Sequence, residues 1–187
     1  MNAIFTAAKE VADFMAARRW DFCIIGGLAV QRWGEPRLTQ DADLTVLTGF
    51  GQEESFVRPL LERFQGRRPD ALAFALAHRV LVIRASNHKD VDIALGGLRF
   101  EISMLKRASP FEFAPGLVLP TCSAEDLFIM KAFAGRPLDW IDAQGIVVRQ
   151  SNRLDTRYIL RHLTELCELK ETPETVERAR DLLRGEP

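Results

Sequence analysis

Two aspartates one residue apart, Asp41 and Asp43, open the run Asp41-Ala-Asp-Leu-Thr-Val-Leu47. Read as a strand, its period of two puts both carboxylates on one side of a sheet. Carboxylates held that close repel and raise each other's proton affinity unless a cation lies between them. Oxygen-only ligands at this spacing suit a hard ion such as Mg²⁺. Just upstream, the apolar run 22–25 reads as a buried strand, and Gly26-Gly27 as a sharp turn where backbone can approach a ligand. Leu28, Ala29 and Val30 begin a helix that Gly34 and Pro36 end. A glycine turn opening a helix beside paired acids offers backbone N–H groups to phosphate. The combination reads as a metal–phosphate site.

A second group stands far along the chain. Lys131 is the only charge in Leu127-Phe-Ile-Met-Lys-Ala-Phe-Ala134, so its ammonium needs a partner or a path to water. One reading is a stem that snorkels to the surface; the other is a cation reaching a triphosphate in a cleft. Asp139 and Asp142 stand at i and i+3 and share a helix face, where one can pair with Arg136 or Lys131. Nearer the paired acids, Thr39 can orient an aspartate or a phosphate, and Arg37 reads equally well as a surface charge.

The elements that must position these groups follow from periodicity. Residues 2–19 carry an apolar helical stripe, and 53–64 carry another. The stretch 66–70 breaks the second, and 71–77 is a short helix or turn. Strands are expected over 78–84 and 90–95, with a hairpin turn at 86–89. Residues 98–107 fit helix or loop, and two short extended pieces lie near 111–113 and 117–119. From Ser123, an N-cap with acids following it, only helices are expected: 127–134, 138–149, 155–170 and one capped by Thr172-Pro173. The division is a mixed α and β part over 1–120 and a helical part over 121–187.

At 187 residues, 47% apolar and 27% charged, the chain has ample core and a well-solvated surface. Its 25 basic and 26 acidic residues give a net charge of −1, which is no footprint for bulk nucleic-acid binding. Cys23, Cys122 and Cys167 are scattered, as are His78, His88 and His162, so disulfides and a zinc site are not expected. No apolar run reaches ~18 residues and charges interrupt the N-terminus, so neither a membrane helix nor a signal peptide is expected. A cytoplasmic location follows as the expectation.

Gly26-Gly27 followed by Arg37-x-Thr39-x-Asp41-x-Asp43-Leu44 resembles the signature of the DNA polymerase β-type nucleotidyltransferase superfamily. Within it, the form resembles the AbiEii-like branch of toxins and minimal nucleotidyltransferases. The resemblance covers roughly residues 22–150. It implies an α+β fold, a small mixed β-sheet flanked by helices, with a C-terminal helical extension. It implies a third metal carboxylate on a neighbouring strand, matched by Val91-Asp92-Ile93, although Asp90 shares that face. Asp41, Asp43 and Asp92 would then hold two Mg²⁺ ions ~3.5–4 Å apart. Gly26, Gly27, Arg37, Thr39 and Lys131 would hold a nucleoside triphosphate. A lysine, an arginine and Asp-x-x-Asp also match at Lys131, Arg136, Asp139 and Asp142, with Asp142 the preferred functional acid.

The implied activity is Mg²⁺-dependent transfer of a nucleoside monophosphate from an NTP, ATP among them, to a hydroxyl on RNA, protein or a small molecule. The alternatives are a toxin–antitoxin protein that binds an antitoxin partner with catalysis secondary or lost, and an antibiotic adenylyltransferase. Three gathered acids favour an enzyme over a pure binding module. Arg153, Arg157 and Arg161 recur every four residues, a stripe that is either solvated surface or a guide for a phosphate-bearing acceptor.

Overall fold

The structure, a computed structural model, describes residues 2–185. Asn2 caps α1 (Ala3–Ala17), its side chain accepting the Ile4 N–H at 3.0 Å. The stripe Ile4, Ala7, Ala8, Val11, Ala12 and Met15 is buried along one side of that helix. The chain then enters β1 (Phe22–Ile25), α2 (Gly26–Trp33), β2 (Asp41–Leu47), α3 (Glu53–Arg63) and a two-residue strand β3 (Gln65–Gly66). After α4 (Ala71–His78) come β4 (Val80–Arg84), β5 (Asp90–Gly96), α5 (Arg99–Arg107), β6 (Ser109–Ala114) and β7 (Leu117–Thr121). Four helices follow: α6 (Ala124–Ala134), α7 (Pro137–Gln150), α8 (Thr156–Lys170) and α9 (Pro173–Arg184), with a 3₁₀ turn at Ser151–Arg153. No helix among the described residues is long and apolar enough to cross a membrane.

By its contacts the chain forms two units. Residues up to Leu28 join Leu38–Cys122 in one, and Ala29–Arg37 joins the segment from Ser123 onward in the other. The first unit holds a seven-stranded mixed sheet in the order β3-β4-β5-β2-β1-β7-β6. β2 runs antiparallel to β1 and parallel to β5, while β4 is antiparallel to β5. Alternate residues Ala42, Leu44 and Val46 of β2 and Val91, Ile93 and Leu95 of β5 are buried with α1 and with Val57 and Leu60 of α3. The intervening residues of both strands therefore face the other way. In the second unit Ser123 caps α6, its Oγ accepting the Asp126 N–H at 3.2 Å and donating to Asp126 Oδ2 at 2.6 Å. Tyr158 donates to the other oxygen of that buried carboxylate at 2.7 Å and so ties α8 to α6.

Several expected elements shift for local reasons. The expected strand 78–84 starts at Val80, because His78 ends α4 and Arg79 takes the left-handed conformation with φ 55°. Residues 98–107, open between helix and loop, form α5. Glu101 there accepts the N–H groups of Gly97 and Leu98 at 2.7 and 2.8 Å, closing the helix start. The extended pieces near 111 and 117 lengthen into the β6–β7 hairpin, which joins the sheet through β7 beside β1. Cys23, Cys122 and Cys167 are all buried thiols outside any disulfide.

Candidate active site

Parallel pairing of β2 with β5 sets Asp41 opposite Asp90 and Asp43 opposite Asp92. One carboxylate oxygen each from Asp41, Asp43 and Asp92 lies within 4.8 Å of the others, and all three residues are half-buried. Asp90 stays outside that group. Its Oδ2 accepts from Arg67 and its Oδ1 from Arg84, both at 2.9 Å. Of the two acids the sequence left open, Asp92 is therefore the one that stands with the pair.

Burial, reinforced by the charges of Asp41 and Asp90, raises the Asp92 carboxyl above the ordinary range despite Arg67 beside it. Burial pulls Asp90 the same way, yet the guanidinium groups of Arg67 and Arg84 outweigh it and hold that carboxyl low. An acid cluster with such a conflict fits a hard divalent cation, which would remove it.

The glycines fit into this group tightly. α2 starts at Gly26 itself rather than at Leu28, with φ 59° there. A Cβ on Gly26 would fall 2.0 Å from Asp43 Oδ2, and one on Gly27 would fall 2.5 Å from Thr39 Oγ1. Asp43 Oδ2 accepts the Gly27 N–H at 3.4 Å, so the first turn of the helix faces a carboxylate. Thr39 Oγ1 lies 3.1 Å from the Asp41 carbonyl and 3.2 Å from Asp41 Oδ1, where its one proton can serve either.

Lys131, Arg37 and Asp142 meet in the second unit. Lys131 does not snorkel: its Nζ is buried, 2.9 Å from Asp139 Oδ1 and 2.8 Å from Asp142 Oδ2. Arg37 forks onto both oxygens of Asp142 at 2.8 Å, and Arg136 binds Asp139 at 2.6 Å. Burial would raise both aspartates, but Arg37 and Lys131 hold Asp142 low, as Arg136 and Lys131 hold Asp139. The predicted residues thus fall into two clusters, one in each unit.

Sequence reasoning missed Arg67, which donates to both Asp92 and Asp90. It lies in Gly66-Arg-Arg-Pro-Asp70, a stretch with only breaker signals. The Arg153–Arg157–Arg161 series is split, because Arg153 sits in the 3₁₀ turn and donates to the carbonyls of Gln150 and Arg149. Arg157 and Arg161 remain exposed on α8.

No protein-family profile matches the chain, and no curated protein sequence matches it. Solved structures do. A nucleotidyltransferase-like antigenic protein from Paracoccidioides brasiliensis aligns over 93% of this chain and 92% of its own, at 16% identity and a TM-score of 0.54. ANT(2")-Ia, solved in complex with adenylyl-2"-tobramycin, aligns over 97% of both chains at 18% identity and a TM-score of 0.51. The fold is therefore that of nucleotidyltransferase-like proteins: an α+β chain whose mixed sheet is flanked by helices.

Proposed function

We propose that the chain is an Mg²⁺-dependent nucleotidyltransferase that moves a nucleoside monophosphate from an NTP to a hydroxyl acceptor. The observation that carries this is the Asp41–Asp43–Asp92 group on adjacent strands, at the glycine start of a helix, in a chain of this fold. Mg²⁺, when bound by these three carboxylates, would supply the positive charge that offsets a triphosphate. The absent Cβ atoms at Gly26 and Gly27 leave backbone free to approach phosphate oxygens. The acceptor oxygen attacks the α-phosphorus and the bond to the bridging oxygen breaks. Pyrophosphate leaves with that electron pair, and the hydroxyl proton passes to the Asp92 carboxylate as general base.

Arg37 and Lys131 are the cations of this reading. Arg37 is partly exposed, whereas Lys131 is enclosed by two carboxylates, so Lys131 acts through Asp142 to fix Arg37. The acceptor is a small-molecule hydroxyl in the version favoured by the likeness to ANT(2")-Ia over almost all of both chains. An RNA end is the version favoured by the exposed Arg157 and Arg161, and a toxin–antitoxin role goes with it. The test is incubation with each labelled NTP, Mg²⁺ and, separately, aminoglycosides, total cell RNA or cell protein. Label entering one pool with wild type and none with Asp41→Asn supports the reading and names the acceptor. No labelled pool and no pyrophosphate release from any NTP would sink it. An RNA acceptor should also bind more weakly as salt rises, through Arg157 and Arg161, where a neutral one should not.

A further inference from the structure

Arg67 ties an acid of the metal group to an acid outside it. One nitrogen of its guanidinium donates to Asp92 Oδ1 and another to Asp90 Oδ2 at 2.9 Å. Its root is fixed, since its backbone N–H donates to the Val82 carbonyl at 3.0 Å. The third nitrogen, Nε, is buried with no hydrogen-bond partner. The group is thus stretched between two carboxylates rather than seated in a socket that satisfies all its donors. Asp90 is itself braced from its other oxygen by Arg84. A guanidinium on Asp92 competes with any divalent cation for the same oxygens, and the more firmly Asp90 holds Arg67, the less it weighs on Asp92.

We propose that Arg67 is a positioning residue that occupies Asp92 in place of a metal ion and is drawn aside by Asp90 when a divalent cation binds. Beyond the direct field of its own charge, Asp90 then acts on the metal site through Arg67. The inference rests on the metal-site reading above.

The test is Mn²⁺ binding, by calorimetry and by the signal of unbound Mn²⁺, to wild type, Arg67→Gln, Asp90→Asn and the double variant at fixed ionic strength. Arg67→Gln should bind Mn²⁺ more tightly than wild type. Asp90→Asn should bind it more weakly, by roughly tenfold, a coupling of the size common between neighbouring charges. In the Arg67→Gln background the same Asp90→Asn change should have a clearly smaller effect, only the direct field of Asp90 remaining. A simple field effect would instead make the two changes additive, and that result would overturn the proposal. Arg67→Lys keeps the charge but cannot span both acids, so it should bind Mn²⁺ more weakly than Arg67→Gln. If melting shows Arg67→Gln to be misfolded, the Asp90→Asn comparison is made in the Arg67→Lys background, where a loss as large as in wild type overturns the proposal. Wild type that binds no better than Asp41→Asn defeats the metal reading and this inference with it. Wild type that binds while Asp90→Asn shifts affinity equally in both backgrounds defeats this inference alone.

Discussion

Asp43 and Asp92 are register partners across the parallel β2–β5 pair. Parallel partners on neighbouring strands point to the same face, about 4.8 Å apart along the hydrogen-bonding direction. Asp41, two residues before Asp43, joins them by strand alternation alone. The acid group is thus a product of sheet topology, and its repulsion is present before any ligand arrives.

Removing one of these charges should therefore relieve the fold while ending the chemistry. In the absence of metal, Asp92→Asn should melt above wild type, because the carboxyl it replaces is one whose charged form burial disfavours. Transfer should fall by roughly 10²–10⁴-fold, the range for loss of a general base. Asp41→Asn and Asp43→Asn should abolish transfer without lowering the melting temperature. Calorimetry in EDTA beside a transfer assay checks both halves, and retained activity in either variant at saturating Mg²⁺ would refute the assignment.

The glycines should resist even alanine. Gly27→Ala forces Thr39 away and with it the hydroxyl beside Asp41, at a cost of about 1–3 kcal/mol. Gly26→Ala should be worse, since it adds a positive-φ strain to a clash with Asp43. Urea unfolding of the two variants would rank them, with Gly26→Ala the less stable.

Stability should respond to acid with two opposite signs. Asp139 and Asp142 have lowered proton affinity in the fold, so their contribution is full above the ordinary aspartate value of about 3.9 and is lost as pH falls below it through their lowered values. Asp92 is raised, so the cost of its charge is relieved as pH falls towards that same range. Melting temperature against pH should hold or rise slightly on mild acidification and then drop. Asp142→Asn should melt lower at neutral pH and show a shallower acid limb.

Lys131→Met should destabilise although it adds apolar surface. Asp139 and Asp142 would each lose a buried partner but keep a guanidinium. The loss should be nearer 1–3 kcal/mol than the ~3–5 kcal/mol of a buried pair broken outright. An unchanged or higher melting temperature would mean that the cation contributes no net stability.

Much of this was legible in the chain because it is local. The alternation through Asp41–Leu47 and Asp90–Gly96 placed the acids on one face of each strand, and the lone charge at Lys131 marked a cation that needed either a partner or a path to water. What was not legible is long-range. Arg67 meets Asp92 from 25 residues away, out of a stretch whose own residues signal only a break. α5 was ambiguous because Phe100 and Met104 are its only buried residues, too few to set a period, and Glu101 closes its start from within.

The packing of Ala29–Arg37 with the segment from Ser123 onward has a consequence for how the chain is made. Ala29 and Val30 are fully buried in the finished fold, yet the residues that their segment packs with are synthesised much later, and Arg37 precedes Asp142 by 105 residues. During translation that half-helix stays uncovered, an apolar surface open to wrong partners. Closing it pays a long-loop entropy before any contact rewards it. A cut between Cys122 and Ser123 would therefore not yield two independently folding pieces, because the second unit leaves part of itself behind in the first fragment.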